Sequence, residues 1–98
     1  MQEFSSLNQS AEKATALLKL LANKNRLMIL CSLIEGERSV NQLNQLIPIA
    51  QSSLSQQLAW LRNAGLVKTR REAQNIFYAI DSNEAEVIIA SLHKIYCA

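Results

Sequence analysis

A chain of 98 residues has room for one domain with one modest core, since small domains bury a smaller share of their surface than large ones, and this argues against a two-domain enzyme. Hydrophobic residues make up 49% of it, yet no run approaches the roughly 18–20 apolar residues of a membrane span. The opening MQEFSSLNQS has no basic segment, apolar run or small-residue cleavage site, so a soluble cytoplasmic protein is expected. The net charge of +2 says little, but no Asp or Glu lies between Arg38 and Arg71, whereas Arg62, Lys68 and Arg70 do; such a block can neutralise phosphates or form a solvated basic face.

Apolar residues at Ala14, Leu17, Leu18 and Leu21 follow the i, i+3, i+4, i+7 rule and predict an amphipathic helix over roughly residues 7–22. Asn23 can cap a second helix with the face Leu27, Leu30, Cys31 and Ile34, ending by Gly36; its stretch LMILCSLI belongs at the centre of the core, which would bury Cys31. Ser39 and Gln42 form a capping-box pattern for a short third helix that buries Val40, Leu43 and Ile47 before Pro48 breaks it. A fourth helix over residues 51–63 turns Leu54, Leu58 and Leu61 inward, with Ser52, Gln56 and Asn63 opposite and Trp60 as a packing residue. After the Gly65 stop the period becomes alternating, through Val67 and Thr69 and then Ile76, Tyr78 and Ile80, which predicts a hairpin joined by Glu72, Ala73, Gln74 and Asn75. Asp81 and Glu84 mark the cap of a final helix with the stripe Ala85, Ile88, Ile89 and Leu92.

The fold class is therefore mainly α with a small β-hairpin, a winged helix-turn-helix in the order helix, helix, short helix, helix, hairpin, helix, forming one domain over residues 1–98. An outer helix face of amides and hydroxyls, with hardly any charge, suits the reading of base edges in double-stranded DNA. Gln51, Ser52, Ser53, Ser55 and Gln56 are the candidates for base or phosphate contacts, Gln56 foremost for a base, and Arg62, Lys68, Arg70 and Arg71 for phosphates; for each Ser, capping or plain exposure is the competing reading. Both terminal helices carry wide apolar stripes that so short a chain cannot bury alone, which points to a homodimer through the first and last helices and an imperfect palindromic operator.

The segments LLKLLANKNRLMILCSL, AQSSLSQQLAWLRNAGLV and NIFYAI resemble the ArsR/SmtB winged-helix repressors over nearly the whole chain, with Gln57 where many members have His and Ala73 where many have Gly. The resemblance implies a dimer that occupies a promoter and leaves it on meeting an inducer. Metal sensors of that family use a Cys-x-Cys in the third helix or His-rich terminal helices; SVNQLNQL holds no Cys and His93 stands alone, so neither a metal site nor a cofactor is expected. LMILCSL and LHKIYCA are similar to the thiol-sensing branch typified by BigR, SqrR and HlyU, which would make Cys31 and Cys97 a redox pair responding to reactive sulfur species or oxidants. Without that resemblance Cys31 reads as a small core hydrophobe and Cys97 as an inert tail thiol. The alternatives are a regulator or anti-silencer without a thiol inducer, a small thiol enzyme, which the apolar setting of Cys31 disfavours, and a winged helix that binds protein rather than DNA.

Overall fold

Apolar periodicity and capping chemistry account for most of the architecture. In the computed structural model, which describes residues 2–97, helix α1 spans Gln2–Leu21 and α2 Lys24–Ser32. Strand β1 is Arg38–Ser39, followed by α3 Val40–Leu46 and α4 Gln51–Asn63. Strands β2, Val67–Glu72, and β3, Asn75–Ile80, lead to α5, Asn83–Tyr96. None of the described helices is long and apolar enough to cross a membrane.

Helix α1 starts before residue 7, where the apolar pattern alone would begin it, because its first turn contains neither Gly nor Pro. The longer helix has two apolar sides. Leu17, Leu20 and Leu21 pack on the core, whereas Phe4, Leu7, Ala11, Ala14 and Leu18 recur at alternating spacings of three and four along the exposed side. Asn23 caps α2 as expected, its side-chain oxygen accepting from the Arg26 N–H at 3.0 Å. Helix α2 ends at Ser32, short of Gly36: the Arg38 guanidinium donates to the Ser32 carbonyl at 2.6 Å, and a turn follows in which Gly36 takes φ +146°.

Both arms of the Ser39–Gln42 capping box form, at 3.2 and 2.8 Å. The core gathers Ile29, Leu30, Leu43, Ile47, Leu54, Leu58, Leu61 and Ile89, all but sealed from solvent, so α2, α3, α4 and α5 share one centre. Helix α4 ends in a Schellman arrangement: Leu66 N–H donates to Leu61 O at 2.9 Å and Gly65 N–H to Arg62 O at 3.0 Å, with Gly65 at φ +78°.

The expected hairpin is present in the register Glu72↔Asn75 to Val67↔Ile80, with the turn narrowed to Ala73 and Gln74. It is part of a larger sheet, because β1 adds to the free edge of β3, Arg38 opposite Tyr78 and Ser39 opposite Phe77, giving the strand order β1-β3-β2. The cap of α5 is Ser82, whose hydroxyl accepts from Ala85 N–H at 3.1 Å; Asp81 lies one residue outside, its own N–H donating to Leu66 O.

Candidate nucleic-acid interface

Helix α3, residues 47–50 and helix α4 form a helix-turn-helix, and the turn is held from within. Pro48 cannot continue α3, and the Asn44 side-chain amide donates to Ile49 O at 3.0 Å, fastening the connection to the helix it leaves. With Leu54, Leu58 and Leu61 fully buried, the opposite face of α4 turns outward. Gln51, Ser52, Ser53, Ser55 and Gln56 are all exposed there, as the helical period requires, while Gln57 is half-buried at the edge of the core. Ala50 supplies the N-cap with no side-chain hydrogen bond, so the first-turn N–H groups of α4 have no capping side chain. Trp60, read as a packing residue, is 40% exposed and lies against the Arg26 guanidinium, 4.1 Å from its ring centroid.

The positive block is less uncompensated than its sequence implies, because acids flanking it fold back onto it. Arg38 lies 4.0 Å from Glu35, and Lys68 4.0 Å from Asp81. Arg70 is fully engaged: Nε and Nη2 donate to the two carboxylate oxygens of Glu37, the first at 3.2 Å, and Nη1 donates to Glu72 at 3.0 Å. Its guanidinium also lies over the Phe77 ring, 4.7 Å from the centroid. The hydrogen bonds from Arg70 hold the Glu37 carboxyl below its usual range, and those from Glu37 and then Glu72 raise the guanidinium still further. Arg62 and Arg71, both exposed, form no ion pair among the described residues. Sequence reasoning passed over Glu37 and Arg26. Glu37 pairs with a residue 33 positions away, which no local pattern announces, and Arg26 stands three residues after the Asn23 cap with no acidic neighbour in sequence to mark its role.

Cys31 is half-buried on α2, not at the centre of the core, and Cys97 is exposed at the C-terminal cap of α5, where its N–H donates to His93 O at 2.7 Å. Both are free thiols. Burial raises the Cys31 pKa, and the charge of Cys97 raises it further.

A short helix, a fastened turn, a second helix with an exposed amide-and-hydroxyl face and a basic antiparallel sheet beside it define a winged helix-turn-helix of the DNA-binding class. Residues 23–69 match the family model described as bacterial regulatory protein, arsR family. The transcriptional activator HlyU of Vibrio cholerae is 48% identical over 91 residues, 93% of this chain and 84% of that protein. The biofilm growth-associated repressor of Agrobacterium fabrum is 46% identical over 92 residues, 94% of this chain and 79% of that one. The crystal structure of HlyU from Vibrio vulnificus superposes with a TM-score of 0.95 at 46% identity, covering 97% of this chain and 99% of that one. The chain belongs to the ArsR family and is a DNA-binding transcription regulator, not an enzyme.

Proposed function

We propose that the protein acts in the cytoplasm as a homodimeric repressor, one domain per chain, that occupies an imperfect palindromic operator and releases it when reactive sulfur species or oxidants modify Cys31 and Cys97. The observation that carries the DNA reading is the exposed row Gln51, Ser52, Ser53, Ser55 and Gln56 on a helix whose other side is locked by three buried leucines, a rigid polar face of the kind that reads donor and acceptor patterns. Gln56 has the reach and the amide for a bidentate contact to adenine, the serines serve bases or phosphates near the uncapped start of α4, and Arg62, Lys68 and Arg71 supply phosphate contacts. The exposed seam on α1 and the apolar Val87 and Ile95 on α5 support pairing of those helices between two copies, which would set two α4 helices about one DNA turn apart.

Two free thiols, one half-buried on α2 and one exposed at the end of α5 whose charge raises the pKa of the first, support the switch. Cys97, the accessible sulfur, attacks the outer sulfur of a low-molecular-weight persulfide as thiolate, taking that sulfur and expelling the carrier thiolate. The Cys31 thiolate then attacks the Cys97 sulfur and displaces hydrosulfide, so the two thiols are oxidised and the persulfide is reduced. A peroxide reaches the same disulfide through a sulfenic acid on Cys97, with hydroxide or water leaving.

Fluorescence anisotropy on a labelled duplex from the protein's own promoter, at fixed salt, tests both parts. Affinity that falls on treatment with glutathione persulfide, and no longer falls in Cys31→Ser or Cys97→Ser, supports the switch. Affinity unchanged after mass spectrometry has verified modification leaves a DNA-binding regulator without a thiol inducer.

A further inference from the structure

Arg70 looks in sequence like one more phosphate ligand, but its surroundings assign it other work. The register places Arg70 of β2 opposite Phe77 of β3, and Phe77 opposite Ser39 of β1, so these residues lie in one row across the sheet. Glu37, two positions before Ser39, shares that face by the alternation of extended chain. The Arg70 side chain runs from the outer strand over the Phe77 ring and ends in a two-pronged pair with Glu37 on the far edge, while its third nitrogen returns to Glu72 near the hairpin tip. Every guanidinium nitrogen is occupied by a carboxylate, and two acids against one base leave the cluster locally negative.

We infer that Arg70 is a wing-positioning residue rather than a phosphate contact: it clamps the β2–β3 hairpin to the segment that enters the helix-turn-helix. Glu37 stands immediately before β1, and Ser39, the second residue of β1, is the N-cap of α3, so the clamp joins the wing to the first helix of the DNA-reading unit with no intervening loop. Isolated exposed ion pairs fix little, because water screens them and side-chain entropy opposes them; a bidentate pair that also stacks on a ring and holds a second carboxylate is the arrangement in which geometry overcomes those losses. The inference rests on the DNA-binding reading above but separates from it experimentally, because removing a carboxylate has opposite consequences for a clamp and for a ligand. If Arg70 bound phosphate, neutralising Glu37 would free the guanidinium, add positive charge and tighten binding. As a clamp, the same change loosens the wing and weakens binding although the protein becomes more basic.

The experiment measures anisotropy on a duplex selected from a random pool by the wild-type protein, over a range of salt, for Glu37→Gln, Arg70→Lys and Arg71→Gln, together with amide hydrogen exchange over residues 67–80. Glu37→Gln and Arg70→Lys are each expected to weaken binding about threefold to tenfold, as loss of a preordered loop does, with the slope of log affinity against log salt unchanged and exchange faster across the hairpin. Arg71→Gln is expected to lower that slope by about one, the signature of a lost phosphate contact, with exchange unaltered. Tighter binding by Glu37→Gln, full affinity in Arg70→Lys, or unchanged exchange in both would overturn the clamp. Failure of the wild-type chain to enrich any duplex would refute the DNA reading, and hydrogen exchange in Glu37→Gln would still decide for or against the clamp.

Discussion

Arg26 offers the most direct check on how the recognition helix is held. Its guanidinium donates to Leu20 O at 2.7 Å at the end of α1 and lies 4.1 Å from the Trp60 ring centroid on α4, so one side chain joins the two helices. A charged hydrogen bond is worth about 1.5–3 kcal/mol, towards the lower figure here because water can replace the donor at a helix end, and a partly exposed cation–π contact about 0.5–1 kcal/mol. Arg26→Met keeps most of the aliphatic stem and loses both, for an expected cost of about 2 kcal/mol. The cation–π share is isolated by a cycle of Arg26→Met, Trp60→Leu and the double variant in urea unfolding, at fixed protomer concentration because pairing between copies would shift apparent stability. The expected coupling is about 0.5–1 kcal/mol. Costs that simply add, with a coupling inside experimental error, would show that the two side chains do not meet in solution and refute the link.

Leu58→Ala, at a fully buried position of α4, should cost about 3 kcal/mol in urea unfolding, a large part of the stability of a domain this size. Ala73, at φ +57° in the hairpin turn, is strained for any residue with a Cβ, so Ala73→Gly should stabilise by about 1 kcal/mol and raise Tm by roughly 4–8 °C in calorimetry. Iodoacetamide followed by intact mass should label Cys97 well before Cys31, since one is exposed and the other half-buried with its pKa raised. That raised pKa also has a stability consequence: its contribution is present below the ordinary thiol value and lost as pH rises through the folded one. Alkaline destabilisation in the reduced protein should therefore be smaller in Cys31→Ser.

Features written in local spacing were legible in the sequence, and features made by distant segments were not. The leucines of α4, the Asn23 cap and the Ser39–Gln42 box follow from periods of three to four residues, and each forms as read. Strand β1 left no trace because two residues cannot display an alternation; it exists because the free edge of β3 needs backbone partners and the chain entering α3 passes beside it. Asp81 and Ser82 are both competent caps, and it is the Ser82 hydroxyl that accepts from Ala85 N–H, while the Asp81 carboxylate lies 4.0 Å from the Lys68 ammonium. The basic block shows the same limit: its charge count was correct, but Glu37, Glu72 and Asp81 lie just outside it in sequence and against it in space.

Helix α2 connects these observations. Arg26 at its start holds the end of α1 and the ring of Trp60, Ile29 and Leu30 fill the core beneath α4, and the half-buried Cys31 follows directly. The helix thus touches the apolar helices available for pairing, the recognition helix and the thiol pair within nine residues. Packed interiors transmit strain because they have few voids to absorb it. In the proposed switch, a bond between Cys31 and Cys97 would tie the C-terminal end of α5 to α2, the helix that also holds α1 and packs under α4, and so offer a route from the thiols to the DNA-facing surface. The same reasoning makes Arg26→Met informative in oxidised protein: with the Trp60 link cut, oxidation should change operator affinity less than in the wild-type chain, and an undiminished response would place the route through α5 instead.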